Sequence, residues 1–376
     1  FLPFSFDVLE LNKQALLVLI VCLSAVLWLG QSILNGSIRI FSARKFKGLN
    51  LLGSKYFNIY TLILLMAAVG IMAAVFSLQP DRSIFGASGS AGGSLISFLS
   101  LLLLFFLITN IFEADEIKGL LGIFSLSILI VIIFCIFNIY GFPVFPFDFA
   151  KSAGFNTVGT INSLGVLAAI GITLALSLLN AGVKKMSVIL NWLLILSGLW
   201  LLIILNFWIL WVILIIGLLT SIIFSAIQGS YQARNLILPM GIITVAILMM
   251  VSGFNIRTNS GLSLEVSPSF KSSLSITYKA LSEKPIFGYG QENFVLAYDK
   301  FKPEGINKSI FWNFRFTDPS SELLNSFAVT GFAGGILALA FLVWLLYLSW
   351  EKIVSREASL IVPAAAASIT AFALYP

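Results

Sequence analysis

Residues 187–226 read SVILNWLLILSGLWLLIILNFWILWVILIIGLLTSIIFSA and contain no Asp, Glu, Lys or Arg. A helix that crosses the hydrocarbon core of a bilayer needs about 20 predominantly apolar residues. This run holds two such lengths, 187–204 and 207–226, with almost no linker around Asn206. The expectation is a hairpin of two membrane helices closed by a tight turn.

Outward from that pair, apolar runs at 15–34, 57–78, 94–112, 119–140, 163–182, 236–254, 331–350 and 359–375 bring the candidate spans to ten. Hydrophobic residues are 59% of the chain and the mean hydropathy is +1.03, against roughly 45–50% apolar residues in a soluble domain. The expected fold class is therefore all-α, a polytopic transmembrane helical bundle. The chain starts at Phe1 and stops at FALYP inside an apolar run, so both ends read as cut and ten spans as a minimum. The expected organisation is eight spans within 1–254, a large external loop over 255–319 with short amphipathic helices, and the last visible spans in 320–376.

Loop charges orient the bundle. One alternate set of loops holds Arg39, Arg44, Lys45, Lys47, Lys55, Lys118, Lys184, Lys185, Arg234, Lys352 and Arg356, whereas the short loops of the other set hold only Lys13, Arg82 and Lys151. The first set is expected in the cytoplasm, which puts the long loop outside. Cationic loops account for the net charge of +6, and no nucleic-acid partner is implied. The absence of histidine argues against a zinc site or a Ser/His/Asp triad. Cys22 and Cys135 lie in apolar runs, where they act as small hydrophobes. No span carries an ionisable residue in its interior, as pumps and coupled transporters usually do, and no internal repeat is visible.

Polar chemistry concentrates in 255–322 and, less densely, in GFPVFPFDFAKSAGFNTVGTINS, Gly141–Ser163, whose aromatics with Asp148 and Lys151 suit the headgroup level. Within the long loop, KPIFGYGQENF (Lys284–Phe294) has Asn293 where a dinucleotide fingerprint needs its third glycine. It reads either as a turn between two interfacial helices or as a place where Gly288 and Gly290 let backbone amides approach an anion beside Lys284. SPSFKSSLSITYKALSEKP reads as an amphipathic helix with Leu274, Tyr278 and Leu281 along one side. It either rests on the membrane or presents Lys271 and Lys279 to a lipid-linked diphosphate.

In NFRFTDPSSELLNSFAVTGFAGG, Asn313–Gly335, Pro319 ends one conformation, Ser320 or Ser321 can cap a helix, and Glu322 falls in its first turn. Capping does not explain Arg315, whose planar fork suits phosphate oxygens. Asp318 and Glu322 are four residues apart and can face one cleft. A general base needs a carboxylate shifted by partial burial, and Glu322, further into the apolar run, is the better candidate.

The order of GTINSLG (Gly159–Gly165), a helical hairpin, a large loop with P-x-x-G-x-G-x-x-x-F (Pro285–Phe294) and SSELLNSFAVTGFAGG resembles the O-antigen ligase and O-antigen polymerase superfamily. That resemblance implies about twelve spans in the full chain. It further implies a glycosyltransferase of the bacterial inner membrane that needs neither metal nor cofactor. The reaction would move a glycan from an undecaprenyl-diphosphate donor to a hydroxyl of a glycan, lipid or protein acceptor, with membrane lipids as further partners. The family's usual His-Asn pair, eleven residues before the glycine of TG, falls here on Ser320 and Ser321. Its usual arginines fall on Asn206–Trp208 and on Lys271 and Ser272. Arg315, Lys271, Lys279 and Lys284 are the substitutes expected to hold the diphosphate, with Asp318 or Glu322 as base. A non-catalytic scaffold for lipid-linked glycan and a flippase or exporter are the alternatives.

Overall fold

The computed structural model describes residues 10–35, 59–87, 91–180, 185–227, 233–253, 266–354 and 360–376. Residues 255–265 of the long loop, and Arg39, Arg44, Lys45, Lys47, Lys55, Lys184 and Arg356 of the charge count, lie outside them. The described residues form helices joined by turns and irregular segments, with no strand formed among them. In chain order the helices are α1 Glu10–Leu34, α2 Ile59–Val75, α3 Pro80–Phe85, α4 Leu95–Ile111, α5 Ala114–Ile139, α6 Ile161–Asn180, α7 Lys185–Leu205, α8 Trp208–Ile227, α9 Ala233–Ser252, α10 Phe270–Glu283, α11 Phe294–Phe301, α12 Glu304–Asn307, α13 Glu322–Val354 and α14 Val362–Leu374. Each apolar run expected from the sequence falls on one of them. By length and composition α1, α5, α6, α7, α8 and α13 can cross a membrane, whereas the apolar stretches of α2, α4, α9 and α14 are shorter. This is the architecture of a helical membrane protein.

The chain divides into two compact units: Phe1–Glu113 joins Ser267–Phe341, and Ala114–Val266 joins Leu342–Tyr375. In the second unit α6 is the central helix, packed by α5, α7, α8 and α14. Lipid offers helices no hydrophobic reason to associate, so small residues that permit close approach decide the packing. A Cβ on Gly165 would stand 2.5 Å from a Leu210 methyl, and one on Gly217 2.5 Å from the Thr173 methyl and 3.1 Å from Ala367. Leu164, Ala168, Ile172, Leu210, Trp211 and Leu214 are completely buried there.

The tight turn after α7 is present. Asn206 takes the left-handed region, φ 37°, and its Oδ1 accepts from Trp211 Nε1 at 2.9 Å. The expected hairpin is corrected in its packing. α7 and α8 share little beyond the turn, and each lies along α6, because Gly165 and Gly171 of α6 and Gly198 of α7 open the surfaces that meet. The Gly141–Ser163 loop is tied beneath α5 by Asn138, whose Nδ2 donates to the Phe155 carbonyl at 3.1 Å.

In the first unit α1 buries only Val21 and Ser32 and exposes Leu16, Leu19, Leu23 and Leu27, as a helix facing lipid does. Gln14 Nε2 donates to Ser94 Oγ at 2.6 Å, joining α1 to the cap of α4.

Candidate functional site

The site is built around a break in α13. Gly331 has φ 67° and ψ −165°, so residues before and after it form separate helical segments. A break exposes carbonyls on one side and N–H groups on the other, and in an apolar setting each unpaired group costs several kcal/mol. The Lys284–Gly290 turn fills this gap with its own backbone. Tyr289 N and Gly290 N donate to the carbonyls of Ala328 and Val329, at 3.1 and 2.8 Å, and the N–H groups of Phe332 and Ala333 donate to Pro285 and Ile286 at 2.7 and 3.2 Å.

This explains the glycines and corrects the expected anion cradle. Gly288 N is bonded to Lys284 O at 3.2 Å and Gly290 N to Val329 O, so neither amide is offered to a phosphate. A Cβ on Gly288 would lie 2.6 Å from Ala328 O, and one on Gly331 would overlap Ile286 O. Both positions also have positive φ, where a side chain is strained. In TGFAGG, Gly334 leaves room for Thr330 and Gly335 for the Phe327 ring.

The end of the same turn locks onto residues 70–94. Asn293, fully buried, donates to Ser77 Oγ at 2.6 Å and Ser83 Oγ at 3.0 Å. Gln291 Nε2 reaches Gly70 O at 3.0 Å. Arg82 Nε donates to Glu292 O at 2.8 Å, and Glu292 Oε1 accepts from Gly93 N at 2.8 Å. Glu292 itself adopts φ 60°, unusual for a residue with a side chain. Sequence reasoning missed Arg82, Gln291 and Glu292; the one available signal was a pair of glycines followed directly by three polar residues.

Beside this plug stands the start of α13. Ser321 is almost fully buried, its Oγ accepting from Leu324 N at 3.5 Å and its carbonyl from Asn325 N at 3.0 Å. Glu322 is half-buried, with both carboxylate oxygens 3.3 Å from Asn325 Nδ2. Asp318 accepts from Thr317 Oγ1 at 2.7 Å. The segment is pinned to α10 by Ser320 N, which donates to Ser273 Oγ at 2.9 Å. Ser320 Oγ, Thr277 Oγ1 and Asn325 Oδ1 are buried without a partner. Buried polar atoms are almost always paired, and Asn138 Oδ1, Gln291 Oε1 and Asn293 Oδ1 are the other such atoms without a partner among the described residues.

The cations are distributed rather than gathered. Arg315 is exposed, with Nε 3.5 Å from Asp299 Oδ1. Lys284 Nζ donates to Phe76 O at 3.4 Å and lies 5.7 Å from the Tyr289 ring centre. Lys271 and Lys279 are exposed on α10. On α10 the expected stripe is exposed at Leu274 and Tyr278, as a helix resting on a membrane would leave it, while Ser273, Ile276, Thr277 and Ala280 form the buried face. Ser273 must face inward to hold Ser320, and that fixes the helix rotation. Among the described residues no group of Cys, Asp and Glu is arranged to hold a metal ion.

No protein-family model, curated protein or solved structure matches the chain.

Proposed function

We propose that the chain is a membrane glycosyltransferase of the O-antigen ligase and polymerase kind, moving a glycan from an undecaprenyl-diphosphate donor to an acceptor hydroxyl on the outer face of the bacterial cytoplasmic membrane. One observation carries the reading: the half-buried Glu322 carboxylate stands at a helix start in contact with Asn325, on a segment where Ser320 Oγ and Asn325 Oδ1 are unpaired and which is pinned to α10, where Thr277 Oγ1 is unpaired too. Such a place can receive a sugar hydroxyl and take its proton. The acceptor oxygen attacks the anomeric carbon, the bond to the diphosphate breaks with its electrons, and the proton passes to Glu322. Lys271, Lys279, Lys284 and Arg315 supply the positive charge that the leaving diphosphate needs. Ser320, standing where the family has its histidine, favours the second reading of a scaffold that binds the donor without turning it over.

The test compares glycan transfer and donor binding in Glu322→Gln and Asp318→Asn. The proposal expects Glu322→Gln to abolish transfer while donor binding survives. Normal transfer in both variants would remove the base assignment, and donor binding without transfer in the unmodified protein would establish the scaffold. The outward placement of the loop has its own check, because a cysteine at Asn307, with Cys22 and Cys135 replaced, should react with an impermeant thiol reagent in intact cells. Labelling only after lysis would invert the topology.

A further inference from the structure

Between α12 and the start of α13 the segment Lys308–Phe316, KSIFWNFRF, sorts its apolar side chains into a buried and an exposed set. Phe316 is 5% exposed and Phe311 packs on the same core, with Tyr298 and Phe316 ring centres 5.5 Å apart. Ile310, Trp312 and Phe314 are instead 87%, 63% and 53% exposed.

These outward side chains are carried by a held backbone. Tyr298 Oη donates to Phe314 O at 3.1 Å, and Lys302 Nζ donates to Trp312 O. Trp312 N and Phe314 N close successive turns on Ser309 O and Phe311 O, at 3.2 and 3.0 Å, and Phe311 N bonds Ser309 Oγ at 3.2 Å. The finger therefore presents three large apolar groups in a fixed arrangement, and leaving them in water would cost the free energy of that exposed area. Lys308 and Arg315 flank them, both exposed, and residues 307–315 contain no acid.

We propose that this finger is a bilayer anchor. Ile310, Trp312 and Phe314 seat at the level of the headgroups and upper acyl chains, with Lys308 against anionic lipid phosphates. Two features favour lipid over a protein partner. Tryptophan and other aromatics beside cations are the composition of a membrane-water interface. The finger also belongs to a chain whose α1 is apolar and largely uncovered, so a bilayer is always within reach. The anchor would fix the loop, and the Glu322 region that follows it, at a set depth from the lipid surface.

The test uses the full chain in lipid nanodiscs, with Cys22 and Cys135 replaced and a nitroxide placed at Ile310→Cys or, as a control, at Glu304→Cys. Membrane-soluble oxygen and a water-soluble nickel chelate report the surroundings of each label. The anchor predicts several-fold greater oxygen access and several-fold lower nickel access at 310 than at 304. It also predicts that Lys308→Ser weakens the difference in discs containing phosphatidylglycerol and leaves it unchanged in neutral ones. Equal nickel access at the two positions would overturn the proposal, as would a label at 310 shielded from both reagents, which would mean a protein covers the finger. Both label sites are exposed, so their substitution leaves the fold intact, and the melting temperature of each labelled protein verifies this.

Discussion

The α5–α9 bundle with α14 and the polar segment from Ser267 to Phe341 solve the problem of close approach in different ways. In the bundle, glycines make room for side chains: Gly165 admits Leu210, and Gly217 admits Thr173 and Ala367. In the polar segment, glycines make room for backbone: Gly288 and Gly331 let the 284–290 turn supply the hydrogen bonds that broken α13 lacks. The first kind of contact depends on shape and tolerates local repacking. The second depends on dihedral angles and on atoms that cannot move aside. A transporter with a broken helix uses the freed ends to hold ions, whereas here hydrogen bonds commit Ala328, Val329, Phe332 and Ala333 to the turn.

The largest expected effect tests this contrast directly. Gly288→Ala and Gly331→Ala each add a Cβ that strikes backbone at positive φ, and should cost more than about 2 kcal/mol. Gly119→Ala in α5, where a Cβ meets nothing within 4 Å, should be neutral or gain up to about 1 kcal/mol through helix propensity. Melting of the purified full chain in detergent reads the order, and equal effects at the three sites would erase the distinction.

A smaller pair of substitutions compares buried polar bonds. Asn293→Leu removes the donor to Ser77, Ser83 and the Tyr289 carbonyl and puts an apolar side chain into a buried polar cluster, a loss of about 2–3 kcal/mol. Ser125→Ala in the bundle removes one bond to Asn191 Oδ1, 2.9 Å long, and should cost about 1 kcal/mol. If the serine change proved the more damaging, the polar lock would be weaker than the helix packing.

Thr277→Val sharpens the contrast at the site. A hydroxyl without a partner adds nothing to the empty fold, so the near-isosteric valine should leave the melting temperature unchanged or raise it, by at most about 1 kcal/mol in stability. Glycan transfer should fall. A melting loss comparable to that of Asn293→Leu would show the hydroxyl to be structural.

These differences mark what the sequence could and could not disclose. The helices were legible because a span is a local property, read from apolar length alone. The start of α13 was legible too, since Ser321 and Glu322 announce it by type and spacing. What Gly288 and Gly290 do was not, because their partners lie some forty residues away and backbone pairs with backbone regardless of side chain. The same holds for Arg82 and Glu292, about two hundred positions apart and joined through a main-chain oxygen. Arg315 and Glu322 looked like one cluster by proximity in sequence, yet Arg315 turns to Asp299 on α11. The stripe of α10 was legible from helical spacing, but its buried face of Ser273, Ile276, Thr277 and Ala280 was not, because it is set by the distant partner Ser320.

The smallest expected effect concerns α10, where charge rather than backbone ties the polar segment together. Lys300 Nζ sits 2.6 Å from Glu283 Oε2, and Tyr289 Oη donates to the same oxygen at 3.0 Å. The hydrogen bond from Lys300, foremost, holds the Glu283 carboxyl below its usual range, with Tyr289 adding to it. Burial, and then Glu283, push the Tyr289 phenol upward, so it remains a donor throughout the acid range. A lowered folded-state value means the folded protein binds the proton less readily than the unfolded chain. The contribution of Glu283 is therefore complete above the unfolded carboxylate value of 4.5 and disappears as pH falls through the lower folded value. The pair is exposed and screened by salt, so the effect is small. Melting curves of the unmodified chain and Glu283→Gln should differ slightly at pH 7 and low salt, converge as pH drops below the usual carboxylate range, and converge at pH 7 in high salt. A gap that persisted in acid would mean the glutamine perturbs packing of Tyr289 instead of removing a charge.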